Sequence, residues 1–215
     1  MIVLKSSREI ELMRHAGQIA GEALALGGEL VKPGVTTKHI NDMMERYIRS
    51  KGGKPSFKGY GGFPAAACIS INEQVIHGAG KISDQAQKLI DVTKQSFFEG
   101  IKYAVDGNRL GDVGHAVCEY AMRNGFSVVK EYVGHGVGTQ LHEEPNVPNY
   151  GVKGKGKRLQ SGMTIAVEPM INEGTESVKT LRDGWTVVTI DGKLSAHYEH
   201  TIAITENEPL ILTSL

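Results

Sequence analysis

Long apolar runs, cysteine pairs in metal-binding register and an excess of charge of either sign are all missing from this sequence. Each absence removes a class of protein. No stretch approaches the twenty or so apolar residues of a membrane span. The opening MIVLKSSREIELM meets charge at once and has no signal-peptide core, so a cytoplasmic protein is expected. Cys68 and Cys118 stand far apart without metal-type spacing, and two buried, reduced thiols are favoured over a disulfide between them. Lys+Arg and Asp+Glu both number 24, so no basic field invites DNA and no acidic tail signals disorder. What remains is an ordinary globular composition, 40% hydrophobic and 22% charged, over 215 residues. That length supports one domain with a sizeable core.

The chain opens with helical signals. Ser6-Ser7-Arg8-Glu9 has the S-x-x-E form of a capping box, and Ile10, Met13, Ala16, Ala20, Ala23 and Leu24 follow at helical spacing. Thr36 or Thr37 can cap a second helix whose apolar stripe is Ile40, Met43, Met44, Tyr47 and Ile48. A glycine-rich loop and an alternating segment, 67–72, come next. Two further helices open at Ser83 and near Asp112, which can cap the second of them. Strands are expected over 126–133, 163–170, 185–190 and 195–204, with Asp191-Gly192 joining the last two as a hairpin. The order long helix, shorter helix, strand occurs twice, about 1–80 and 81–215, hinting at a duplicated domain with a site between its halves.

Three segments concentrate chemistry: Gly134-His135-Gly136 running on to Leu141-His142-Glu143, then Ile165 to Met170 around Glu168, then His197-Tyr198-Glu199-His200. Glu168 sits among apolar strand residues, where a bare carboxylate is costly. A cation would neutralise it. Glu199 raises the same question, and glycines beside His135 allow close backbone approach. One imidazole and two carboxylates suit Zn, Mn, Fe or Co. Taken singly, a histidine between glycines is usually a loop residue and a strand glutamate usually faces solvent. The KGKGKR stretch at 153–158 reads as a solvated loop, with ribosomal RNA a distant second.

The segments EYVGHGVGTQLHEEPNVPNYG, SGMTIAVEPMI, DGWTVVTIDGKLSAHYEHTIAIT and CISINEQVIHG, together with KPGVTT, resemble type I methionine aminopeptidases, in the family's order and over nearly the whole chain. The resemblance implies an α+β pita-bread fold, with two pseudo-symmetric αα-β halves and a curved, mostly antiparallel sheet. It implies metal ligands at His135, Glu168 and Glu199. Glu168 would also accept a proton, and His77 and His142 would contact substrate and stabilise the tetrahedral intermediate. Tyr60, Phe63, Cys68, Leu141 and Trp185 would wall a methionine pocket, where aromatic rings and a thiol suit a thioether. The implied substrates are nascent polypeptide N-termini, with the ribosome a further candidate partner and no DNA or membrane. A monomer is expected.

One departure matters. In the family, a hairpin carrying two metal-binding aspartates follows the first histidine. Here His77-Gly78-Ala79-Gly80 runs straight into Lys81-Ile82-Ser83, with no aspartate between. A sequence from which a segment was left out, a deletion that still folds, and an inactive paralogue that only binds N-terminal peptides all fit. Family character on both sides of the junction favours clean excision over gradual decay. At most one divalent ion is then expected.

Overall fold

A computed structural model describes residues 2–69 and 83–215. Helix α1 (Ser7–Leu30) starts at the expected box: the Glu9 N–H donates to Ser6 Oγ and the Ser6 N–H to the Glu9 carboxylate at 2.8 Å. Helix α2 (Thr37–Ser50) is capped by Thr36 and α3 (Asp84–Ile101) by Ser83. Helix α4 (Leu110–Arg123) departs from expectation. Asp112 lies inside its first turn, where one oxygen accepts from the Arg109 N–H and the other from the Gly154 N–H. The side chain reaches backward instead of capping forward, and so ties α4 to the exposed basic loop.

The face that α1 buries also differs from expectation. Gly17, Ala23 and Gly27 are buried, while Leu24 is 56% exposed. Glycine permits the approach: a Cβ at Gly17 would stand 2.2 Å from the Leu212 carbonyl oxygen. Periodicity of large apolar residues cannot reveal a face made of small ones.

Among the described residues ten short strands follow: β1 (Ser127–Val128), β2 (Gly134–Gly136), β3 (Glu143–Val147), β4 (Thr164–Val167), β5 (Met170–Asn172), β6 (Val178–Thr180), β7 (Val187–Thr189), β8 (Ser195–His197), β9 (His200–Ala203) and β10 (Leu210–Ile211). They form an antiparallel five-stranded sheet ordered β10-β9-β4-β2-β3, a three-stranded sheet β1-β5-β8, and the hairpin β6-β7. The expected hairpin across Asp191-Gly192 is corrected. β7 pairs with β6, and β8 crosses to β5. Asp191 instead accepts the Thr175 and Lys193 N–H groups, turning the chain between sheets. Residues 67–69 of the expected 67–72 strand are irregular, and the rest lies outside the described residues.

Two stretches, 164–172 and 195–203, run antiparallel across both larger sheets. Each expected single strand is broken at the same level, at Glu168-Pro169 and Tyr198-Glu199. Proline denies the ladder a donor at one break, and the Tyr198 N–H bridges to the Pro169 carbonyl at 3.1 Å. Helices α3 and α4 cover these sheets through Phe97, Ile101, Val113, Ile165, Val167 and Ile202 in one cluster and Leu89, Val92, Phe126 and Ile171 in another.

Strand β2 lies against β4 because its glycines allow it. A Cβ at Gly134 would come 2.2 Å from the Ala166 carbonyl oxygen. Replacing Gly134 by Ala should therefore cost about 1–3 kcal/mol by overpacking. Gly28, in α1 with nothing within 4 Å of an added Cβ, should gain roughly 0.4–1 kcal/mol on the same change. Urea unfolding of both variants measures the contrast.

Candidate metal centre

The shared break in the two long stretches faces the middle of β2. His135, Glu168 and Glu199 each present a ligand atom there, and these atoms lie within 4.8 Å of one another. The three chain segments suggested by sequence thus converge. His135 Nδ1 lies 2.8 Å from the Gly136 carbonyl oxygen. A carbonyl only accepts, so Nδ1–H donates and the Nε2 lone pair is left for the site. That Nε2 stands 3.5 Å from Glu168 Oε1. The Glu168 backbone is held as well, its carbonyl accepting from Asn149 Nδ2 at 2.9 Å.

Sequence reasoning quoted His197 in its motif but gave it no role. The structure places its Nε2 3.2 Å from Glu168 Oε2 and 4.0 Å from Glu199 Oε2. A usable signal existed: in extended chain, residues two apart share a face, so His197 follows Glu199. His200 turns the other way, to Tyr198 and Thr213.

Burial dominates the electrostatics. It pushes the Glu168 carboxyl up to about 8. Glu199 is pushed up to about 7, by burial first and then by Glu168 beside it. Glu199 keeps 42% of its side chain open to solvent, so it ionises the more readily of the pair. His135 and His197 are lowered, again chiefly by burial. Neutral imidazoles facing reluctant carboxylates are donors waiting for positive charge, and the set fits a small divalent cation.

Beside this cluster lies an aromatic rim. The His142 ring is 4.1 Å from His135 and 4.8 Å from Tyr60, centroid to centroid, and Phe63 meets Trp185 at 5.5 Å. Tyr60 and Trp185 are exposed, Leu141 half-buried. Cys68 is half-buried near the carboxylates: burial and the charges of Glu199 and Glu168 push its thiol up to about 11. His77 lies outside the described residues.

The pattern of metallopeptidase family M24 matches residues 11–84 and 78–206. The chain belongs to that family, and its kinship within it is with the methionine aminopeptidases. It is 48% identical to the methionine aminopeptidase of Clostridium perfringens over 99% of both chains, and 44% identical to methionine aminopeptidase 1 of Bacillus subtilis over 99% of both. The crystal structure of the Thermotoga maritima methionine aminopeptidase superposes with a TM-score of 0.96 at 38% identity, covering 100% of each chain. The α+β pita-bread fold is thereby established, and a divalent metal is the family's cofactor. The Clostridium alignment spans 246 positions against 215 residues, so about 30 positions of that relative have no counterpart here. The family pattern itself divides into two pieces that meet at 78–84.

The carboxyl shifts fix a pH dependence for metal-free protein. Folded Glu168 holds a proton that the unfolded chain releases near the ordinary carboxylate value, so its contribution is full at low pH and lost as pH rises to about 8. The lowered histidines tilt the curve oppositely below neutrality, so the informative quantity is a difference. In EDTA, the thermal midpoint of Glu168→Gln should overtake that of wild type progressively from pH 5 to 8.5. Added Zn or Co should raise wild type more at pH 8 than at pH 6, and should leave Glu168→Gln nearly unmoved.

Proposed function

We propose that this chain is a metal-dependent aminopeptidase that removes N-terminal methionine from nascent polypeptides, working with one divalent ion and at a reduced rate. One observation carries the reading: three ligand atoms from His135, Glu168 and Glu199, within 4.8 Å of one another, stand beside the rim of Tyr60, Phe63, His142 and Trp185. A divalent ion held by such a set polarises a scissile carbonyl and eases deprotonation of water. Glu168 takes up the proton of the attacking water, its buried carboxyl being readily protonated. His142, neutral by burial, donates a hydrogen bond to the oxyanion. His77 supports the same charge on the strength of the family motif alone. Tyr60, Phe63, Cys68, Leu141 and Trp185 enclose the methionine side chain.

The substrate amine is less well served. No aspartate lies between His77 and Ser83, and Asp84 and Asp91 belong to α3. Fewer anionic ligands mean weaker metal binding. The ion is Zn, Mn, Fe or Co. The cytoplasm is the proposed location, consistent with described helices none of which is long and apolar enough to cross a membrane. The chain acts as a monomer, with the ribosome a candidate partner.

The junction at 78–84 favours one second reading, a protein that binds methionine-ended peptides without cleaving them. A Met-Ala-Ser peptide separates the two. Methionine should be released only with added metal, far more slowly than by a full-length relative at the same metal concentration. Glu168→Gln should release none. Rates equal to the relative's would refute the proposed impairment, and calorimetric peptide binding without any release would establish the second reading.

A further inference from the structure

Helix α2 grips the loop behind the aromatic rim at two points. The turn 57–63, which carries Tyr60 and Phe63, is knotted on itself: the Gly59 N–H donates to the Phe63 carbonyl and the Phe63 N–H to the Tyr60 carbonyl, both at 2.8 Å. It therefore moves as one small piece. Residues 58–62 are exposed, so packing does little to place it. Two polar anchors do. Before the turn, Lys58 Nζ donates to both Glu45 carboxylate oxygens at 2.8 Å. After it, the Ala66 and Ala67 N–H groups donate to Asn41 Oδ1 at 2.8 and 3.2 Å. Asn41 and Glu45 stand one helical turn apart on α2 and so share a face. Residues 66 and 67 lie in irregular chain, where a backbone donor needs a partner from outside. Two N–H groups facing one atom also fix the amide's orientation, since only its oxygen accepts.

We propose that Asn41 is a positioning residue for substrate selection: by holding Ala66 and Ala67 it sets the gap between the aromatic rim and Cys68, and with it the fit of an N-terminal methionine side chain. This rests on the reading that Tyr60, Phe63, Cys68, Leu141 and Trp185 enclose that side chain. Ala67 directly precedes Cys68, so the anchor sits one residue from that wall. Through the knotted turn it also reaches Trp185. The Phe63 ring meets the indole at 5.5 Å, and a Cβ at Gly61 would stand 3.4 Å from it. The cluster of His135, Glu168 and Glu199 comes from other segments of chain, so freeing this anchor should spare it. Asn41→Leu keeps the side chain's shape and removes the acceptor. Asn41→Asp keeps an acceptor in the same place.

Trp185 is the single tryptophan of the chain, so its fluorescence reports on the rim directly. The full chain, in the presence of Zn, is titrated with L-methionine, which has no bond to cleave, and the emission is followed. Asn41→Leu, checked for native circular dichroism, should weaken methionine binding by about tenfold, because small misplacements in a positioned site are costly. Its Trp185 should also be quenched more readily by acrylamide, while its affinity for Zn stays that of wild type. Asn41→Asp should bind methionine as wild type does. Lys58→Met, at an exposed position, loosens the other anchor and should weaken binding by about twofold, the scale of a surface ion pair. It carries the test if Asn41→Leu does not fold. Unchanged methionine binding in the variant that folds overturns the proposal. So do parallel losses of methionine and Zn binding, which mark a general loosening, and an Asn41→Asp as defective as Asn41→Leu. A wild type that binds Zn but whose Trp185 ignores methionine removes the pocket reading, and this inference with it, while the metal reading stands.

Discussion

Glu168, sunk among apolar strand residues, and Glu199, at its side and partly open to solvent, both resist charge unless a cation stands between them, and the centre of this molecule is arranged around that constraint. Glu168 and Glu199 are each driven to hold their protons, chiefly by the low-dielectric surroundings the fold builds around them. Packing alone would have placed apolar side chains there. That the chain keeps two carboxylates instead, with the His135 Nε2 lone pair aimed at them, makes sense only if positive charge completes the set.

The fold delivers these groups by breaking its own regularity. Two antiparallel stretches cross from one sheet to the next, and both lapse at the same level. A continuous strand would alternate its side chains between two packed faces. At the lapse Glu168 and Glu199 are turned toward β2, whose glycines bring His135 within reach. Helices α3 and α4 close the outer face and make the pocket dry enough for the electrostatics to matter.

Much of this was legible in the residues. Glu168 announced itself as a carboxylate among Ile165, Val167 and Met170, and the caps at Ser6, Thr36 and Ser83 marked their helices. Less legible were features set by tertiary approach. The buried face of α1 is built from Gly17, Ala23 and Gly27, of which Ala23 alone carried an apolar signal. Asp112 carries the signature of a cap but bonds backward and to the Gly154 loop. The turn at Asp191-Gly192 resembles a hairpin locally, yet its strands belong to different sheets, a distinction that only long-range pairing decides. His197 hid in plain view, since a histidine near a glutamate gains meaning only when a third group from elsewhere arrives beside it.

Among the described residues, the pairings between named strands fall between Ser127 and Ile211. Within those residues, the strands that carry or adjoin His135, Glu168, His197 and Glu199 pair with strands from that same stretch. Among the described residues the floor of the site is thus local in sequence, so a change upstream of Ser127 reaches it through side-chain packing and not through strand pairing.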